Sequence, residues 1–360
     1  MAVQAGRIAL ALALVAGSGL PPPPPAASER SLSELAETYR AVDRDRALAA
    51  LALWSREDVE AGVEALAALL SKLGPGGDAR RFAAVALLTE SALLDFRARR
   101  FHRLRWELQS AAHLMKAAPP ATRESVFGRR FYLLAGLTLH SGGELEAGHA
   151  LLLEGLTVAR NDPELLTALA STIETVAALR QYEGSPDAPR RSVRPGYSSE
   201  SGSVGSLQSA SLGEAEGRYK QAVALDPDLG AARLRLGRVR LLQGRPDEAL
   251  PDLERVARSA RQPGTRYLAR LFAGRALEAL GDLRGAAVAY HDAAAQVPRA
   301  QTALVALGRV LDRLGDTSGA QDALDGAGAP GFSEDPWWGY QVGQPERLDD
   351  LFEELRGLVP

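Results

Sequence analysis

An all-α fold, a solenoid of stacked helix–turn–helix pairs, is what this sequence predicts, and two observations predict it. The first is a spacing. Gly237, Gly274 and Gly308 each precede a second glycine by seven residues (Gly244, Gly281, Gly315) and an alanine by twelve (Ala249, Ala286, Ala320). Four residues after each alanine stands a bulky apolar residue, Leu253, Tyr290 or Leu324, and the copies recur at intervals of 37 and 34 residues. Fixed periods of this length mark repeats that bury their apolar faces against one another. The second observation is that no stretch alternates β-branched and polar residues, so no strand is expected.

The middle copy shows why these residue types sit where they do. A first helix is expected over 267–280, with Gly274 letting the second helix approach closely at some cost in helix propensity. Gly281 falls where that helix must stop in a left-handed conformation. The second helix, over 283–296, puts Ala286, Tyr290 and Ala293 on one buried stripe, and Pro298 closes the unit. The plan recurs over 230–258 and 301–327. A half-unit precedes these copies: Ala215, Tyr219 and Ala222 occupy second-helix positions, followed by Leu225-Asp226-Pro227, and its first helix is expected over 163–182. These spacings resemble the tetratricopeptide repeat (TPR) over residues 211–327, and in degenerate form upstream. The aromatic often found near the start of the family's first helix is absent at Arg233 and Arg270.

The resemblance implies a concave groove lined by the first helices, with the residue after each core glycine facing into it. Arg238, Arg275 and Arg309 hold that position, and Leu234, Leu271 and Val305 complete the inferred partner-binding surface. Guanidinium groups suit carboxylates, hence an acidic peptide or a free C-terminus. Against this, Glu278 follows Arg275 by three residues and Asp312 follows Arg309 by three, a spacing for neutralisation within one helix. Arg238 is followed by Leu241 and Leu242 and has no such neighbour.

Upstream, Ser31 and Glu34 form a capping-box pair that opens a helix to about residue 54, and Ser55 with Asp58 opens another that Gly74-Pro75-Gly76-Gly77 stops at residue 73. Helices over 78–100, 101–117, 122–140, 143–160 and 163–182 follow, separated by Pro119-Pro120, Gly142-Gly143 and Asp162-Pro163. The Ser-, Gly- and Pro-rich stretch 183–210 is expected to be a mobile insertion between two helices of one repeat. Its Arg190, Arg191 and Arg194 make it either a tolerated surface loop or a contact for an acidic partner. After Trp337 and Trp338, Leu348, Leu351, Phe352 and Leu355 stand on one helical face. This tail is read as a C-terminal capping helix over the last repeat with the indoles beneath it, the alternative being an exposed aromatic anchor.

The domain plan is therefore a signal peptide and Pro-rich segment over 1–28, an N-terminal helical region over 29–182, the insertion 183–210, the repeats 211–327, and an aromatic linker and capping helix over 328–360. With 46% apolar and 24% charged residues, 360 residues can bury a large core. A net charge of -3, with no basic face interleaved with aromatics, argues against nucleic acid as partner. Arginine outnumbers lysine 39 to 3, a bias expected of a GC-rich bacterial gene. The absence of cysteine removes disulfides and thiolate metal sites. The five histidines form no zinc-binding pair, and neither a nucleophile elbow nor a phosphate-binding loop occurs. No catalytic, cofactor-binding or metal-binding residue is assigned, and the chain is read as a scaffold rather than an enzyme. The alternative is an enzyme or polysaccharide-binding envelope subunit using Trp54, Phe96, Phe101, His102 and Trp106.

Arg7 followed by the uncharged run 8–15 has the order of a secretory signal, so residence in the periplasm or cell envelope is expected, with no membrane span after cleavage. The mature chain should begin between residues 18 and 28. N-terminal sequencing of envelope material tests this, and a chain still starting at Met1 or Ala2 would refute it.

Overall fold

The computed structural model describes Val85, Leu88, Thr89, Ala92, Leu93, Asp95 and Phe96, then residues 101–183, 211–298, 300–328, 335–341 and 347–358. Among these residues there is no strand. The helices are α1 (Phe101–Lys116), α2 (Pro120–Arg123), α3 (Val126–Ser141), α4 (Leu145–Val158), α5 (Pro163–Glu183), α6 (Leu212–Leu225) and α7 (Gly230–Leu242). They continue as α8 (Pro246–Ser259), α9 (Pro263–Ala279), α10 (Leu283–Gln296), α11 (Gln301–Arg313), α12 (Thr317–Gly328), α13 (Pro336–Gln341) and α14 (Leu348–Gly357). The helices expected over 31–54 and 55–73, and residues 184–210 of the insertion, lie outside the described residues.

Two compact units emerge. One draws its described residues from Ala13–Arg160 and Pro345–Pro360, the other from Asn161–Arg194 and Ser199–Gln344. The second is the repeat unit. Its pairs α5/α6, α7/α8, α9/α10 and α11/α12 pack internally, and the second helix of each pair packs on the first helix of the next. First helices also meet directly, α5 with α7 and α7 with α9, and so form an inner layer.

The glycine spacing does the work assigned to it. Gly244, Gly281 and Gly315 have φ of 75°, 86° and 84°. The following N–H in each case, on Arg245, Asp282 or Asp316, donates back to Arg240, Leu277 or Leu311 at 2.9–3.0 Å. That closure satisfies carbonyls the helix end leaves orphaned. At the crossing points a Cβ on Gly274 would stand 2.6 Å from the Tyr290 ring, and one on Gly237 2.7 Å from Leu253. The next helix then starts at once: the Asp282 and Asp316 carboxylates accept from Gly285 N and Gly319 N, each at 2.9 Å.

The first unit contains a further copy. Gly136, Gly143, Gly148 and Leu152 follow the same offsets, with glycine where the other copies have alanine. Gly143 has φ 86°, and Glu144 N donates to Leu139 O at 2.9 Å. A Cβ on Gly136 would run into Leu152, and one on Gly148 would lie 2.8 Å from the Gly136 carbonyl oxygen, so α3 and α4 cross with glycine on both sides. The helix expected over 122–140 is divided, because Ser125 ends one turn and caps the next by accepting from Gly128 N at 3.3 Å.

The amphipathic tail helix does cover an apolar face, but that of α3. Leu348, Leu351, Phe352 and Leu355 are buried, and Glu354 pairs with Arg130 at 3.1 Å. On the last pair, Leu314 and Leu324 stay 40% and 45% exposed.

Gly274→Ala should destabilise the protein by about 1–3 kcal/mol, because the Tyr290 ring must move off a packed crossing. Gly217, on the exposed side of α6 with nothing within 4 Å of an added methyl group, is the control. Gly217→Ala should stabilise by about 0.5–1 kcal/mol through helix propensity. Urea denaturation of the two variants must shift in opposite directions for the assigned register to hold.

Candidate functional site

The inner layer of the repeat unit is organised by one carboxylate. Glu174 on α5 is 1% exposed at its side chain. Arg235 and Arg238, one turn apart on α7, both reach it: Arg235 Nη1 donates to Oε2 at 3.1 Å and Arg238 Nη1 to Oε1. The Tyr219 hydroxyl on α6 donates to Oε2 at 2.6 Å, and the Tyr340 hydroxyl on α13 to Oε1 at 3.2 Å. Burial pushes the Glu174 carboxyl upward, but Arg238, Arg235 and the Tyr219 hydroxyl outweigh it and hold the group below the ordinary carboxylate value. Burial and the neighbouring Glu174 charge push the Tyr219 and Tyr340 phenols upward, so both remain donors.

Residues 335–341 lie across this face. Trp337 and Tyr340 stack with an interplanar angle of 4° and a centroid separation of 6.2 Å. The Arg235 guanidinium sits 4.2 Å from the Tyr340 centroid, and Arg238 lies 5.1 Å from Tyr340 and 5.4 Å from Trp337. Phe272 of α9 meets both rings edge-on at 5.7 and 5.3 Å. Arg235 also donates to the Tyr340 carbonyl at 3.4 Å. At the other end, the buried Asp335 accepts from the Tyr267 hydroxyl at 2.8 Å, from Thr302 N at 2.8 Å and from Trp337 N at 3.0 Å. Ala300, the N-cap residue of α11, offers no side-chain acceptor, so a carboxylate 33 residues away caps that helix.

A second cluster follows along the layer. Glu278 of α9 accepts from the Tyr290 hydroxyl at 3.0 Å, from Arg309 at 2.6 Å and from Arg313 at 2.8 Å. Arg275 is half-buried. Burial lowers its pKa, Tyr290 opposes the shift, and Arg238 and Arg309 reinforce it. The face thus gathers Arg235, Arg238, Arg275, Arg309 and Arg313 around Glu174, Glu278 and Asp335.

The six residues singled out from sequence divide accordingly. Leu234 and Leu271, at 0% and 2% exposure, belong to the core between pairs. Val305 and Arg275 are half-buried, and Arg309 is exposed. Arg238 is buried and, against expectation, ion-paired: its partner Glu174 lies on a different helix pair, where neighbours in sequence gave no hint of it. Arg309 is likewise neutralised by Glu278 of the preceding pair rather than within its own helix. The anchors that sequence reasoning missed are Glu174, Arg235 and Asp335. The indole pair was visible in the sequence, but Trp337 packs on α9 rather than under a terminal cap.

Of the alternative aromatic group, Phe96 and Phe101 are half-buried and pack edge-on at 6.2 Å. Trp54 and the side chains of His102 and Trp106 lie outside the described residues. Among the described residues, no three His, Asp or Glu side chains are grouped to hold a metal, and no helix is long and apolar enough to cross a membrane.

Removing the charge at Glu174 takes from the buried Arg235 and Arg238 the carboxylate that both pair with. Glu174→Gln should therefore cost about 3–5 kcal/mol. Because the folded-state pKa is depressed, the stabilisation from Glu174 is fully present above the unfolded carboxylate value of about 4.3 and drains as pH falls through the lowered value. Urea midpoints between pH 7 and 3 should fall more steeply below pH about 4.3 for the wild type than for Glu174→Gln. Equal slopes would mean that Glu174 does not carry this dependence.

A family profile agrees with the fold of the repeats. The family profile described as tetratricopeptide repeat matches residues 206–271, which span α6 to α8 and the first half of α9. Among solved structures, MamA 41-end from Desulfovibrio magneticus RS-1 is 18% identical, with 55% of this chain and 92% of that one covered and a TM-score of 0.41. MamA MSR-1 is 16% identical over 56% and 95% at 0.39. YrrB, described as a TPR protein with an unusual peptide-binding site, is 17% identical over 57% and 91% at 0.38. Comparison with curated proteins finds no match. The glycine register, the left-handed turns at Gly244 and Gly281, and the family profile over 206–271 together identify tetratricopeptide repeats in this part of the chain.

Proposed function

We propose that the protein is an exported bacterial scaffold of the periplasm or cell envelope, binding a protein or peptide partner along the inner face of its repeats. It is a binding protein, not an enzyme. The observation that carries this reading is that the inner face already holds a peptide-like stretch of the chain's own residues. Residues 335–340 touch four successive first helices: Glu174 on α5, Arg235 and Arg238 on α7, Tyr267 and Phe272 on α9, and Thr302 on α11. A surface that satisfies one such segment through side chains from every repeat has the chemistry to satisfy another.

The partner's charge follows from the same residues. Among the described residues, the exposed guanidinium groups of Arg309 and Arg313 share a single acid, Glu278. That surplus attracts an acidic segment and repels a basic one. Export rests on the N-terminal order of Arg7 followed by the uncharged run 8–15.

Crosslinked pull-down from envelope extracts with the full mature chain tests the reading against a charge-reversed variant, Arg275→Glu/Arg309→Glu. The wild type should retain a partner whose crosslinked peptide is acidic, with recovery at least about tenfold lower for the variant, the loss expected when paired charges turn like-signed. Equal recovery by both chains would place the partner elsewhere.

A further inference from the structure

Resting on the inner-face reading above, we infer that residues 335–340 are an internal ligand of the repeats, and that the partner displaces them by presenting the same chemistry. That chemistry is a carboxylate followed two and five residues later by aromatic rings, as Asp335, Trp337 and Tyr340 present them.

The two ends of the segment are its anchors. Asp335 and Tyr340 are each 2% exposed, whereas Pro336, Trp337, Trp338 and Gly339 between them are half-buried. Each anchor is read by groups of different repeats. Asp335 is read by the Tyr267 hydroxyl and the Thr302 amide, and Tyr340 by Glu174, by Arg235 at its carbonyl, and by the guanidinium faces of Arg235 and Arg238. The stacked Trp337 fills the distance between them against Phe272. This is recognition by position: a charge at one end, a hydroxyl and a carbonyl at the other, and ring faces in between.

Two features mark the segment as an internal ligand, although Tyr340 is buried within the core. The solenoid is continuous without the segment, because α6 packs on α7, α8 on α9 and α10 on α11 directly. The surface beneath it is also charged. Glu174 keeps Arg235, Arg238 and the Tyr219 hydroxyl when Tyr340 leaves, so water replaces the departing polar contacts, while the apolar core that Tyr340 and Trp337 join around Phe272 loses cover. Tethering gives the segment an effective concentration of order millimolar. A free partner with the same three groups must therefore bind more tightly than the tethered copy, or engage a second surface, and Arg309 and Arg313 provide one.

The probe is a labelled synthetic peptide with the sequence of residues 333–342, SEDPWWGYQV. The receptor is the full chain, either wild type or Trp337→Ala/Tyr340→Ala. The vacated variant should bind the peptide at least about tenfold more tightly than the wild type, as expected when the competent fraction of the wild type is below about one in ten. A peptide with alanine in place of its Asp, first Trp and Tyr should not bind. Should the double variant lose its helical circular dichroism, Trp337→Ala alone, which removes only a half-buried ring, takes its place. A folded vacated chain that binds the peptide no better than the wild type overturns the inference. If that chain still captures an acidic envelope partner, the scaffold reading stands while the internal ligand falls. If it binds the peptide but neither chain retains a partner, the internal ligand stands and the scaffold reading falls.

Discussion

Taking the Glu174 carboxylate out of water carries a penalty of several kcal/mol that only a complete set of partners offsets. The repeat unit provides that set around α5 from Tyr219 on α6 and Arg235 and Arg238 on α7, and Tyr340 on α13 adds one bond more. Sliding the first pair one turn against the second would strand either the acid or a guanidinium. Apolar packing between alanine-rich helices tolerates such slips, since small side chains make few shape-specific contacts. A buried ion cluster does not, and it fixes the register between pairs that the glycines fix only within a pair.

The arrangement recurs with a period of two repeats. Tyr219 bonds Glu174, which bonds Arg235 and Arg238 on the next first helix; Tyr290 bonds Glu278, which bonds Arg309 and Arg313 on the next. In the intervening copies the tyrosine position holds Leu253 or Leu324. Tyr290, opposite Gly274, fills its crossing and sends a hydroxyl through to the inner layer, and Tyr219 makes the equivalent bond from α6 although α5 carries no glycine. There each hydroxyl helps hold an acid that would otherwise sit among arginines with fewer bonds. Within-pair packing and between-pair electrostatics are coupled through one side chain, and the alternation leaves the second cluster near the surface while the first is sealed by residues 335–340.

How much of this was legible in the sequence follows from the range over which each feature acts. Crossing glycines, turn glycines and capping aspartates act within about twenty residues, and their spacing is written in the chain. The copy at Gly136, Gly143, Gly148 and Leu152 was equally legible but hidden by requiring alanine at the twelfth position, where this closer crossing admits only glycine. The inner-layer contacts act at long range. Arg238 finds its acid 64 residues upstream, beyond the insertion, and Tyr340 reaches the same acid across 166 residues. No local spacing encodes such partners, and so the sequence around Arg238 shows no acid for it and the indoles read as packing under a terminal cap. The amphipathic pattern of 348–355 specified that this helix buries a face but not which surface receives it. Complementary apolar faces are interchangeable in sequence, and α3 rather than the last repeat takes this one.

The long-range contacts also explain why the inner face combines so many charges with so much burial. A groove lined by apolar side chains would hold its own segment through area alone, and leaving it would expose that whole area to water. Here the segment is held by a carboxylate, a hydroxyl, a carbonyl and two ring faces over guanidinium groups, each of which has a hydrated counterpart when the segment departs. The number of directional contacts keeps the fit specific, while the rings of Trp337 and Tyr340 add apolar burial against the core around Phe272. Directional polar contacts over a pre-paired ion cluster permit a surface to be filled in one state and available in another without loss of the fold beneath it.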